Sequence, residues 1–163
     1  MKKLFRVFFA VALCALVLSM CACSESKEEK DNAKVIDIYS AAGELLGAGK
    51  FDDTMAEIPH YAFPSIIGDI GAVTSSVSYG GESGATADAL FVIHCDDLEN
   101  VYTVKALLSN YRDQQELLFS TYNPSEVPKL KDAVLEVRGH YLMFAVGSDV
   151  SALPGIFNGY FDN

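Results

Sequence analysis

Hydrophobic and polar positions along this chain change period several times, and each change marks an element. Val35, Ile38, Ala42, Leu45 and Leu46 recur at helical spacing, and Gly47 and Gly49 end that pattern. Phe51 to Pro64 shows no period and carries two breakers, Pro59 and Pro64, so it reads as irregular. Ser65 to Ile70 suits one short helical turn closed by Gly71. Ala72 to Tyr79 alternates, with Val73, Ser75, Val77 and Tyr79 opposite Thr74, Ser76 and Ser78; this predicts a strand with one wet face. Gly80 to Gly84 is a loop. Asp88 to Cys95 is apolar on both faces, as a central strand requires.

Asp96 then looks like a helix N-cap, with Glu99 three residues on completing a capping box. A helical stripe runs through Leu98, Val101, Tyr102, Leu108, Tyr111, Gln115, Leu118, Phe119 and Tyr122 until Asn123-Pro124 stops it. Ala133–Arg138 and Tyr141–Gly147 read as strands joined by a Gly139-His140 turn of type II′. A short closing helix runs to about Tyr160, delayed by Pro154-Gly155. The expected fold is therefore α+β. A four-stranded antiparallel sheet (ββαββα, order 1-2-4-3) carries the long helix on one face, with an N-terminal helix before it.

The start of the chain follows a different logic. Lys2, Lys3 and Arg6 precede an unbroken apolar run, Val7 to Leu18, and then small residues: the layout of a secretory signal peptide. Met20-Cys21-Ala22-Cys23 resembles the lipobox of bacterial lipoproteins, read as aliphatic, small, small, Cys. In that family the Cys thiol receives a diacylglyceryl group and cleavage leaves the Cys first. Cys23, preceded by Ala22, is the expected lipidation site. Cys21 is the second choice, because the bulky Met20 stands directly before it. Two acyl chains make a stable membrane anchor. The expected layout is 1–22 signal peptide, 23–34 lipidated Cys with a charged tether, and 35–163 a single domain. With Cys14 and Cys21 removed and Cys23 capped, Cys95 has no partner for a disulfide, so the core must stabilise the domain.

Composition narrows the function classes. The chain has 163 residues, 50% of them hydrophobic, and a net charge of −10. Such acidity gains little from counterion release, so nucleic acid is excluded as a partner. It also argues against adsorption to anionic lipid by charge alone.

Ala85 to Val92, the long helix with Arg112 and Gln115, Tyr122-Asn123-Pro124, and the hairpin Arg138-Gly139-His140-Tyr141-Leu142 together resemble a family of small bacterial lipoproteins known as domain of unknown function 4358. The resemblance spans about Val35 to Phe161. It implies export and a lipid anchor, and brings no activity, cofactor or catalytic residue.

No constellation in the chain itself points to catalysis. His94-Cys95-Asp96-Asp97 is the densest group of potential ligands, but strand alternation parts Cys95 from His94 and Asp96, and Asp96 is expected to cap a helix. His140 belongs to a hairpin turn and His60 to a loop; no zinc spacing links the three histidines. Gly81 to Ala85 falls one residue short of a nucleophile elbow and precedes a strand rather than a helix. Asp52-Asp53 and Asp96-Asp97 are adjacent pairs, expected to be solvated or capping residues. The expectation is thus no catalytic residue, no metal and no cofactor. The chain should be a non-catalytic exported binding module, held to the membrane by its diacylglyceryl group and meeting an envelope protein or component. The alternative is a small-ligand receptor or transport accessory.

Overall fold

The sheet is built around the two strands whose residues are apolar on both faces. The computed structural model describes residues 34–68 and 71–162. The chain divides into two compact units, Met1–Asn32 and Ala33–Asn163, and the described residues all belong to the second. Their elements are α1 (Ile38–Ala48), β1 (Met55–Ile58), α2 (Pro64–Ile67), β2 (Val73–Gly81), β3 (Ala89–Cys95), α3 (Leu98–Tyr122), α4 (Val127–Lys131), β4 (Val134–Arg138), β5 (Tyr141–Val146) and α5 (Leu153–Gly159). Single 3₁₀ turns at His60–Ala62 and Pro124–Glu126 lead into α2 and α4.

The strands form one five-stranded antiparallel sheet in the order β1-β2-β3-β5-β4. This corrects the expected four-stranded sheet of order 1-2-4-3. Met55–Ile58, read from sequence as irregular chain, pairs with Ser78–Gly81 and takes the edge that the next strand was expected to occupy. Four residues ahead of Pro59 are too few to show a period of two, and they make a strand only because β2 offers them a ladder. In β2 the expected wet face is also corrected. Ser76 and Ser78 are buried, Ser78 to 1% exposure, opposite Ile93 and Phe91.

Both faces of the sheet are covered, not one. Phe91 and Ile93 of β3 and Leu142 and Phe144 of β5 face α3, where Val101, Val104, Leu108 and Phe119 meet them. Phe63, Ile67 and Leu130 close the sides of that layer. The Phe91 ring lies between Phe63, edge-on at 5.1 Å, and Phe144, stacked at 5.6 Å. On the opposite face Leu90, Val92, Met143 and Ala145 pack under Ile38, Ala41, Ala42 and Leu45 of α1 and Leu153 and Phe157 of α5. The period-two alternation within β3 and β5 thus feeds two cores. Each fully buried Leu, Ile or Phe contributes about 1.5–3 kcal/mol.

The long helix begins one residue later than the sequence suggested. Asp97, not Asp96, is the N-cap: its Oδ1 accepts the Asn100 N–H at 2.7 Å. Asp96 accepts instead from the Asn100 side-chain amide, at 2.8 Å. At Gly139 the backbone has φ +54°, and no residue other than glycine has positive φ among the described residues, so only the first turn position is left-handed, as a type II′ hairpin needs. The 25 residues of α3 span about 37 Å, whereas the strands beneath reach only about 20–30 Å. The helix is thus longer than any strand it packs on.

Candidate functional site

Between the second half of α3 and the end of β2 lies a groove of about 400 Å³. One wall is the inward flank of α3: Tyr111, Gln115, Leu118, Phe119 and Tyr122. The other is the end of β2 and the connection to β3: Gly80, Gly81, Gly84, Thr86, Ala87 and Asp88. Leu118 and Tyr122 stay 55% and 64% exposed, because where core residues would cover them the facing strand carries glycines. Gly81 is required by close approach. A Cβ there would lie 2.6 Å from Thr86 Oγ1 and 2.9 Å from Asp53 Oδ2.

The glycine-rich wall is held from behind by carboxylates. Asp53 Oδ2 accepts the Ser83 N–H at 3.0 Å and the Ser83 hydroxyl, and these bonds hold the Asp53 carboxyl below its ordinary range. Asn123, capping the C-terminus of α3, donates its side-chain amide to Ala85 O at 3.0 Å and ties the two walls together. Asp88, its side chain fully buried, accepts the backbone N–H groups of Asp52 and Asp53 on one oxygen, at 2.7 and 2.9 Å. Its other oxygen accepts from Lys129 Nζ at 3.1 Å. Lys129 also meets Glu126 at 2.8 Å and Asp52 at 2.6 Å, and Glu126 accepts the Ala87 N–H at 2.9 Å.

One buried ammonium thus joins three segments of chain. Burial disfavours its charge, but its bonds to Asp52, Glu126 and Asp88 outweigh that, and its pKa lies above the ordinary lysine value. The Asp52 carboxyl is held low, first by its bond to Lys129. Lys129 and Glu126, at i, i+3 spacing, are the residues that sequence reasoning missed. The signal was a charge pair inside the Pro-flanked stretch Pro124–Lys129.

Chemically the groove offers apolar contact and a few polar groups. The Tyr111 hydroxyl and the Gln115 amide have no hydrogen-bond partner among the described residues. Burial pushes the Tyr111 hydroxyl up to about 12, so it is a neutral donor at ordinary pH. Its ring packs on Phe91 and Phe144 at 5.7 and 5.8 Å, which fixes where the hydroxyl points. Sequence periodicity assigned Tyr111, Gln115, Leu118 and Tyr122 to a core-facing stripe; the structure turns the far end of that stripe into an open wall.

The other expected candidates lie elsewhere. His94 stacks on Tyr141 at 4.6 Å, and its pKa is lowered, chiefly by burial and then by His140, against the pull of Asp96. Cys95 is buried in the α3 layer, and burial raises its thiol to about 11, which leaves it an unreactive thiol. His60 Nδ1 is 2.9 Å from Ser76 Oγ. His140 follows Gly139 in the hairpin turn, with its ring 6.4 Å from that of His94. Among the described residues no group of three or more His, Cys, Asp and Glu is arranged to hold a metal, and no helix is long and apolar enough to cross a membrane. The expected signal peptide, Cys21, Cys23 and the tether lie outside the described residues. A second cavity, about 560 Å³, opens where the described domain begins, between Lys34–Ile36 and the 155–160 segment.

Residues 71–147 match the family model described as Domain of unknown function (DUF4358). The matched stretch contains both walls of the groove and all of α3, and leaves α1, β1, α2 and α5 outside. No curated protein and no solved structure matches the chain.

Proposed function

We propose that this chain is an exported lipoprotein, anchored outside the cytoplasmic membrane by a diacylglyceryl group on Cys23, and that it works as a non-catalytic binding module for an envelope protein or component. The observation that carries the reading is the groove. It lies wholly within the family match, and the residues behind the family resemblance (Thr86, Ala87, Asp88, Gln115, Tyr122) converge on it from separate stretches of chain. Of the polar groups along it, the Tyr111 hydroxyl, whose ring is held by packing, and the Gln115 amide have no hydrogen-bond partner among the described residues. The tether supports the same reading: nine polar residues, Ser24 to Asn32, reach on the order of 15–20 Å and would present the domain near the membrane surface. A small-ligand receptor would need a concave site that buries most of its ligand. The exposure of Leu118 and Tyr122 favours a macromolecular surface instead.

The test uses the full chain in its own cell. Cys23→Ala should move the protein from membrane to soluble fraction and abolish fatty-acid labelling, while Cys21→Ala should do neither. A photo-crosslinking residue at Tyr122 should give a discrete adduct with an envelope component, and the same residue at the exposed Tyr61 should not. Adducts from Tyr61 and none from Tyr122 would place binding away from the groove, and label retained in Cys23→Ala would overturn the anchor.

A further inference from the structure

We infer that the groove receives an extended segment of an extracytoplasmic protein in which a Lys or Arg stands close to an aliphatic or aromatic side chain. This rests on the groove being the binding site and goes on to name the chemistry of its occupant. The length fits a peptide. From Tyr111 to Tyr122 the helical wall rises about 16 Å, which is about five residues of extended chain. The groups along it suit a backbone as well as side chains. The Gln115 amide can donate and accept, and the Tyr111 hydroxyl can donate to a carbonyl.

The charge selects the segment. No lysine or arginine lines the groove, while Glu82 stands exposed in the glycine-rich wall between Gly81 and Gly84. Its neighbour Asp53 is engaged by Ser83 and Thr86, so Glu82 is the carboxylate at the rim that a cation can meet. The exposed Tyr122 ring, on the opposite wall, also offers a face to a cation. Leu118, beside it, asks for an apolar side chain. Two other occupants are disfavoured by the same charges. Without the expected signal peptide and its Lys2, Lys3 and Arg6, 9 basic and 22 acidic residues remain, so a second copy brings another −13 against this one, and an anionic lipid surface is repelled by the rim.

Random dodecapeptides displayed on phage, selected against the full lipidated chain in phosphatidylcholine nanodiscs, test this directly. Peptides enriched over empty discs should carry Lys or Arg within three residues of Leu, Ile, Phe, Tyr or Trp. A synthetic copy of the best should bind about tenfold more weakly to Leu118→Asp, an exposed position whose change leaves the thermal unfolding midpoint in place. Glu82→Lys should weaken it severalfold and flatten its salt dependence. Enriched peptides that need Leu118 but lack a basic residue would overturn the basic segment and leave the groove reading intact. Enrichment indifferent to Leu118→Asp, or none over empty discs, would overturn the inference. The groove reading itself answers separately to the crosslink from Tyr122.

Discussion

Lys129 shows how much one buried side chain can organise. It is 11% exposed, and Asp88 and Glu126, its partners, are as deeply buried. Removing one partner from such a network leaves uncompensated charge in the interior, which costs about 3–5 kcal/mol. Lys129→Met should therefore destabilise the domain by about that amount in urea titration. The pH dependence gives a sharper check, because the wild type should hold these contributions down to about pH 4 while the variant should already change above it. In the wild type Asp52 sits below its ordinary carboxylate value, so its contribution is present above pH 4 and is lost as pH falls through the lowered value. Asp149, held at about 2 by Lys50, adds to the same loss between about pH 4 and 2. Lys129 itself, raised above the ordinary lysine value, contributes fully below that value and changes nothing in this window. In Lys129→Met, acidification from pH 7 toward 5 should restore part of the lost stability, since protonation removes the stranded negative charge. A variant that only loses stability on acidification would show that the carboxylates are solvated rather than buried with the lysine.

At the scale of elements, the helix cap separates two neighbouring aspartates that look equivalent in sequence. Asp97→Ala should cost about 1 kcal/mol, the usual loss for an N-cap, and Asp96→Ala only a few tenths, as measured by chemical denaturation. Equal losses would mean that the cap is shared. The strands and helices with a long period were legible from sequence: both faces of Asp88–Cys95 and Tyr141–Val146 are apolar because each faces a core. What was not legible depends on partners far along the chain. Met55–Ile58 is a strand because Ser78–Gly81 lies beside it. Ser76 and Ser78 look solvated by polarity yet are buried against Phe91 and Ile93 through pairing. The groove was hidden for the same reason. Periodicity places Leu118 and Tyr122 on the helical stripe of α3, but it cannot show that the facing strand end carries Gly80 and Gly81 there. The carboxylates around Lys129 come from three stretches of chain, and only the Glu126–Lys129 pair is local.

For the whole molecule, two cores share one sheet, and the residues that fill them run from Ile36 to Phe157. Phe144 sits at the centre of the α3 layer, stacked on Phe91 and 1% exposed. Phe144→Ala should cost about 3–5 kcal/mol. Because the same strand also supports α1 and α5 through Met143 and Ala145, near-UV and far-UV circular dichroism should report one coincident transition at a lower denaturant midpoint. Two separated transitions would show that the layers unfold independently. The proposed anchor on Cys23 lies outside the described residues. Among the described residues, those that fill the two cores start at Ile36, and the proposed anchor is expected to act on partition rather than on packing. Cys23→Ala should leave the denaturation midpoint of the domain where it stands for the lipidated chain in detergent, while partition into membranes is lost. A midpoint shift of more than about 1 kcal/mol equivalent would show that the anchor contributes to the stability of the domain.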